Sequence, residues 1–169
     1  MIATMPLGFA VAMTVHILGI IATFAAFAMQ ARARGRLRVA STVEEARPWA
    51  QLLGMTRPML PSGAAMLLGS GGWLAGLAHL GFPAWLGVSA AAVLFIGLAG
   101  VIAGRRLAAA IGDRSAWMAL SAANGAALGI IWLMAARPPT AASVAVVALA
   151  ALIGAVAARG PRVQLSGSG

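Results

Sequence analysis

Five stretches of this chain, residues 7–30, 59–80, 85–103, 116–136 and 140–158, are almost wholly apolar and carry no Asp, Glu, Lys or Arg in their middle. Each is close to the roughly 20 residues that a helix needs to cross the hydrocarbon layer of a bilayer. Lipid offers no partner to an exposed backbone amide, so an apolar segment of that length can cross only as a helix unless strands close into a barrel, and no barrel alternation is present. The fold class expected is therefore all-α: a polytopic membrane bundle of five transmembrane helices, forming a single membrane domain over residues 1–164. The chain is 62% hydrophobic and 9% charged, where a soluble domain carries about 25% charge. An ordinary globular or disordered chain is excluded on that ground. The first span is not read as a cleaved signal, because residues 1–5 lack positive charge and its apolar run is too long. Residues 165–169, Leu-Ser-Gly-Ser-Gly, read as a linker or tag remnant.

The net charge of +9 would point to nucleic acid in a soluble protein, but the arginines lie between apolar runs, so the partner they imply is the lipid bilayer. Arg32, Arg34, Arg36, Arg38, Arg47 and Arg57 follow the first span, Arg105, Arg106 and Arg114 follow the third, and Arg159 and Arg162 follow the fifth. Only Arg137 falls in the other two loops. With five spans the basic groups alternate onto one side, which the positive-inside tendency makes cytoplasmic. The N-terminus is then outside and the C-terminus inside, in a bacterial inner membrane. Trp73, Trp85 and Trp132 are expected near the outer interface and Trp117 near the inner one.

The loop 31–58 is the one substantial polar segment. Ser41 with Glu44 reads as a capping box that starts a short helix, and Pro48 suits the first residue of a second turn. Trp49, Leu52 and Leu53 give that segment an apolar face, suited to the inner membrane surface. The alternative is a solvated basic linker meeting anionic lipid.

Polar groups within spans are costly and mark candidate sites. His16 lies about 14 Å below the outer end of its span at 1.5 Å per residue, with Met13, Gly19 and Thr23 on its face. It must find a hydrogen-bond partner, such as Asn124 or a serine, or a metal. His79 ends a stripe of Ser62, Ala65, Gly69, Gly72 and Gly76 on the second span. Helical rise sets the two histidines about 12 Å apart in depth, although their side chains lean toward one another. Gly97, Gly100 and Gly104 repeat the small-residue spacing on the third span, and Gly125 with Gly129 repeats it on the fourth. Such faces suit close helix packing, within the chain or against a partner. With no Cys, thiolate chemistry is excluded. The nine Met are scattered, which fits core filling better than a copper run. No Ser-His-Asp set, phosphate loop or carboxylate pair can be assembled.

Several segments together resemble the small bacterial CopD/HemJ-like integral membrane proteins, a group that includes members of unknown function. These are His16-Ile17-Leu18-Gly19, Arg57-Pro58-Met59-Leu60 leading to Trp73-Leu74, Trp85-Leu86 followed by Arg105, and Ile131-Trp132-Leu133-Met134 with Arg137-Pro138. The resemblance covers about residues 10–140. It implies haem ligation at His16 in the HemJ branch, or copper handling in the CopD branch. Ser89 and Gly125 stand where the HemJ oxidase branch has Lys and Glu, so the resemblance implies no oxidase activity here. The expectation is a non-catalytic inner-membrane protein binding haem b or copper through His16, with Met13, His79 or no residue as second ligand. The alternatives are an accessory or packing subunit of a larger membrane complex or a homo-oligomer, and a small solute permease.

Overall fold

A computed structural model describes residues 6–79 and 83–158. Over the described residues the chain is an all-α bundle of six helices, α1 Leu7–Leu37, α2 Val43–Thr56, α3 Met59–Leu77, α4 Ala84–Ala109, α5 Arg114–Ala136 and α6 Thr140–Ala157. Helix α1 packs on α3, α3 on α4, α4 on α5 and α5 on α6, while α2 docks chiefly on α1. Helices α1, α4, α5 and α6 are long and apolar enough to cross a membrane. Helix α3 is 19 residues long, but Gly63, Gly69, Gly71, Gly72 and Gly76 with Ser62 and Ser70 dilute its hydropathy.

Two helices outrun their apolar runs. Helix α1 continues through Arg32, Arg34 and Arg36 to Leu37, because arginine is a good helix former and its long side chain reaches water from a helix end. The expected loop 31–58 is thus mostly helix. Helix α4 likewise extends to Ala109, past Arg105 and Arg106. In the opposite sense α3 stops at Leu77, three residues short of the expected span. Ala78 caps it, and His79 follows with φ at 48°, a left-handed turn that ends the helix.

Helix α2 is one continuous helix with Pro48 inside it, not a break and a second turn. Its cap lies one residue beyond the expected Ser41–Glu44 pair. The Thr42 side chain accepts the Glu45 N–H at 3.2 Å, and the Ser41 N–H donates back to Glu45 Oε2 at 2.9 Å. Its apolar face turns onto the bundle, with Leu53 buried in the core and Trp49 and Leu52, partly buried, packed against it. Arg36 stacks 5.6 Å from the Trp49 ring centroid.

The core gathers where α1, α3, α4 and α5 meet, around Phe27, Leu60, Ile96, Trp117 and Leu120. Trp117 is no interface anchor: it is 1% exposed, its Nε1 donates to the Ile111 carbonyl at 2.9 Å, and Arg34 lies over its ring. Trp73 and Trp132 are exposed, as an interfacial belt requires. Glycine sets the helix spacing at defined points. A Cβ on Gly100 would stand 2.7 Å from that of Leu60, and one on Gly97 3.0 Å from that of Ala64. On Gly125 it would run into the Ala150 carbonyl, and on Gly154 into that of Ser121.

Candidate ligand-binding cavity

The contact of α1 with α3 is built on two glycines that face each other. A Cβ on Gly19 would lie 3.0 Å from Met66 Cβ, and one on Gly63 would strike Thr23 Oγ1. Because neither glycine carries one, the backbones approach closely and His16, one turn before Gly19, meets Ser70. His16 Nδ1 lies 3.0 Å from Ser70 Oγ. Ser70 Oγ in turn donates to the Met66 carbonyl of its own helix.

A serine hydroxyl has one proton. With that proton on the Met66 carbonyl, Nδ1–H donates to Ser70 Oγ and Nε2 keeps its lone pair; with it on Nδ1, the two ring nitrogens exchange roles. The His16 side chain opens on a cavity of about 330 Å³ bounded by α1, α3, α4 and α5. Its walls are almost wholly aliphatic, with Leu67, Val93, Ile130 and Met134 among them. The two hydroxyls on the wall spend their protons within their own helices: Thr23 on the Gly19 carbonyl at 2.8 Å, Ser89 on the Trp85 carbonyl at 2.9 Å. Gly71 flanks the imidazole; a Cβ there would lie 3.5 Å from His16 Cε1. Outside the lining, where the start of α4 meets the end of α5, Arg137 stacks 5.8 Å from the Trp85 ring centroid. Arg137 is the left-handed C-cap of α5, with φ 46°.

The other expected site residues scatter. His79 lies exposed beyond the end of α3, nine residues or about 14 Å of helix rise from Ser70, and does not line the cavity. Met13 is exposed, 37%, and also outside it. The methionine that shares the cavity with His16 is Met134, which stands in the Ile131–Met134 segment of the sequence resemblance but shares no helix with His16. Asn124, midway along α5, lines a separate small cavity with Arg34 and Ser121. Among the described residues no three His, Asp or Glu come together. Gly97, Gly100, Gly104, Gly125 and Gly129 all have atoms of another segment within 4 Å of a virtual Cβ, Gly104 the Arg57 stem and Gly129 Val147 of α6. Gly69, Gly72 and Gly76 have none among the described residues; Gly72 borders the cavity. At these three glycines the expected stripe makes no such contact among the described residues, whereas Gly19, Gly63 and Gly154, outside it, do.

No protein-family model, curated protein or solved structure matches this chain.

Proposed function

We propose that the chain is a non-catalytic, five-span protein of the bacterial inner membrane that binds haem b through His16. The observation that carries this reading is one imidazole ring, held by Ser70, beside an otherwise aliphatic cavity. A ligating histidine commonly donates its other ring N–H to a neighbouring acceptor, which orients the ring, and Ser70 plays that part. The donor set does not suit copper, which needs a compact group of nitrogen and sulfur ligands: the cavity wall offers His16 and Met134 alone. It suits one side of a flat apolar macrocycle better, with Gly72, whose Cβ position is open, leaving room for an edge, and with Arg137, three residues after Met134 and stacked on Trp85, as a cation for propionates. When bound, haem would supply an iron centre for one-electron exchange. The sequence resemblance at His16 is in accord.

Topology supports the same reading. Arg34, Arg57 and Arg106 meet Ser121, Gly104 and Ser115 at one end of the bundle, and Arg137 lies at the other. The rich end is assigned to the cytoplasm, which puts His16 in the outer half. Absorption spectroscopy of protein purified after haem-replete expression tests the proposal. A Soret band lost in His16→Ala is expected; colourless wild-type protein overturns it. A second reading, a subunit of a larger membrane complex, is favoured by the open Gly69 and Gly76 positions on α3. Gly69→Leu with Gly76→Leu would then release a co-purifying protein while the bundle stays folded.

A further inference from the structure

The four helices around the His16 cavity are not joined equally. Three of the seams are direct packing, α1 on α3, α3 on α4 and α4 on α5. The fourth seam would join α1 to α5, yet α1 packs chiefly on α3 and α2, and α5 on α4 and α6. Toward the basic end, large side chains bridge it. Phe27 shares one buried cluster with Trp117 and Leu120, and Arg34 reaches the Ser121 hydroxyl at 2.8 Å. Phe24, in the cavity lining, meets Phe27 edge-on with centroids 6.2 Å apart and so forms a floor.

Level with the cavity the seam is different. Gly19 faces α3, and Ile20 stands one residue, about 100°, further round α1. Ile20, with Ile131 and Met134 of α5, lines the cavity and is nevertheless well exposed, at 40%, 52% and 39% respectively. Side chains that wall a cavity and also stand open belong to its mouth. Neither α2 nor α6 contributes to the lining. Over the helix ends the described residues draw together: Trp73 approaches α1 at Gly8, and Arg137 stacks on Trp85.

The depth of this mouth sets what can use it. Ile20 is 13 residues along α1 from Leu7, about 20 Å, and Ile131 is five residues from the end of α5, about 7 Å. Both depths fall inside a hydrocarbon layer of about 30 Å, so the seam opens onto lipid chains. We propose that the cavity loads sideways from the bilayer, between α1 and α5, and takes a lipid-dissolved ligand: a largely apolar molecule with one atom able to meet a nitrogen of His16. This rests on the reading of His16 as a ligating residue. Haem dissolved in the membrane meets the requirement, and a water-soluble ligand does not. Ligand cavities are mostly apolar with a few polar groups that orient the occupant, and His16 is that group here.

The chain has no cysteine, so engineered thiols report without background. Val93 is buried on the α4 wall of the cavity. A Val93→Cys variant is labelled with bimane and returned to vesicles. Phospholipid carrying a mid-chain nitroxide should quench the label, and aqueous iodide should not. Quenching by iodide, or by neither agent, overturns the proposal whether or not haem binds. Ile20→Cys with Ile131→Cys then places a thiol on each side of the seam. Bridged by a bifunctional methanethiosulfonate, this variant should lose haem uptake from donor vesicles, followed at the Soret band, and a thiol reductant should restore it. Full uptake by the bridged protein overturns lateral entry and leaves ligation by His16 intact. Colourless wild-type protein instead overturns haem as the ligand, and the quenching result still decides the route.

Discussion

Ser70 does for His16 what an isolated histidine in an apolar span cannot do for itself. With its own proton on the Met66 carbonyl, its oxygen accepts from Nδ1–H, holds the ring and leaves the Nε2 lone pair for a ligand. Ser70→Ala should therefore weaken haem binding about 10–100-fold, the usual loss when an orienting partner of a metal ligand is removed. His16→Ala should abolish it. A haem titration followed at the Soret band separates the two variants, and equal affinity of Ser70→Ala and wild type would deny the serine its orienting role. His16 was legible in the sequence because a titratable ring deep in an apolar run stands out. Its partner was not, since Ser70 is 54 residues away and equivalent to the other serines until α1 and α3 are brought together. Met13 was likewise visible as the i−3 neighbour of His16, whereas Met134 enters the cavity from α5, a relation that periodicity within one helix does not carry.

At the scale of helices, glycine spacing makes a sharp contrast. Gly125→Leu drives a side chain into the Ala150 backbone, and backbone cannot yield as a flexible side chain can. Overpacking of this kind typically costs about 1–3 kcal/mol, so the detergent melting midpoint should fall clearly. Gly69→Leu, with nothing within 4 Å of its Cβ position, should melt like wild type in the isolated protein. The same sequence spacing yields opposite outcomes because spacing tells which residues share a face, and not what that face meets. Helix ends show a related limit. Ser41 and Thr42 are adjacent, as are Glu44 and Glu45, so two capping registers were open, and the chain takes Thr42 with Glu45. The α5 cap carries a pH signature. Asp113 is held below the usual carboxylate range by the Ser115 hydroxyl first and then the Ala116 N–H. A lowered folded-state pKa contributes stability that is complete above the unfolded value, about 3.9. That contribution disappears as pH falls through the folded value. Asp113→Ala should reduce stability at pH 7 and narrow its gap from wild type below about pH 4, in melts of both proteins run across that range.

For the whole molecule, the arrangement of charge makes the last prediction. The five apolar runs were legible because nothing but lipid burial explains so little charge over such lengths, and each became a helix. Their polar continuations were not, since the arginines at 32, 34 and 36 read as loop by charge and fold as helix by propensity. That extension carries the basic end of α1 down beside α2 and the start of α5, where Arg34 bonds Ser121 and stacks on Trp117. Arg106 joins the same end through Ser115. The cations thus form one layer tied to the bundle, and moving that layer across a membrane would carry several guanidinium groups with it. Each costs about 2.5–3.5 kcal/mol at the centre of a spanning helix, so the basic layer should remain on the cytoplasmic side whatever is fused to either end. A periplasm-active reporter placed after residue 136, in the short turn before α6, should be active. One placed in the 38–42 segment between α1 and α2 should be silent. Activity in the opposite pattern would invert the bundle and move the His16 cavity to the cytoplasmic half. Activity at both positions would mean that one of the helices between them, α3 most readily given its glycine content, does not cross.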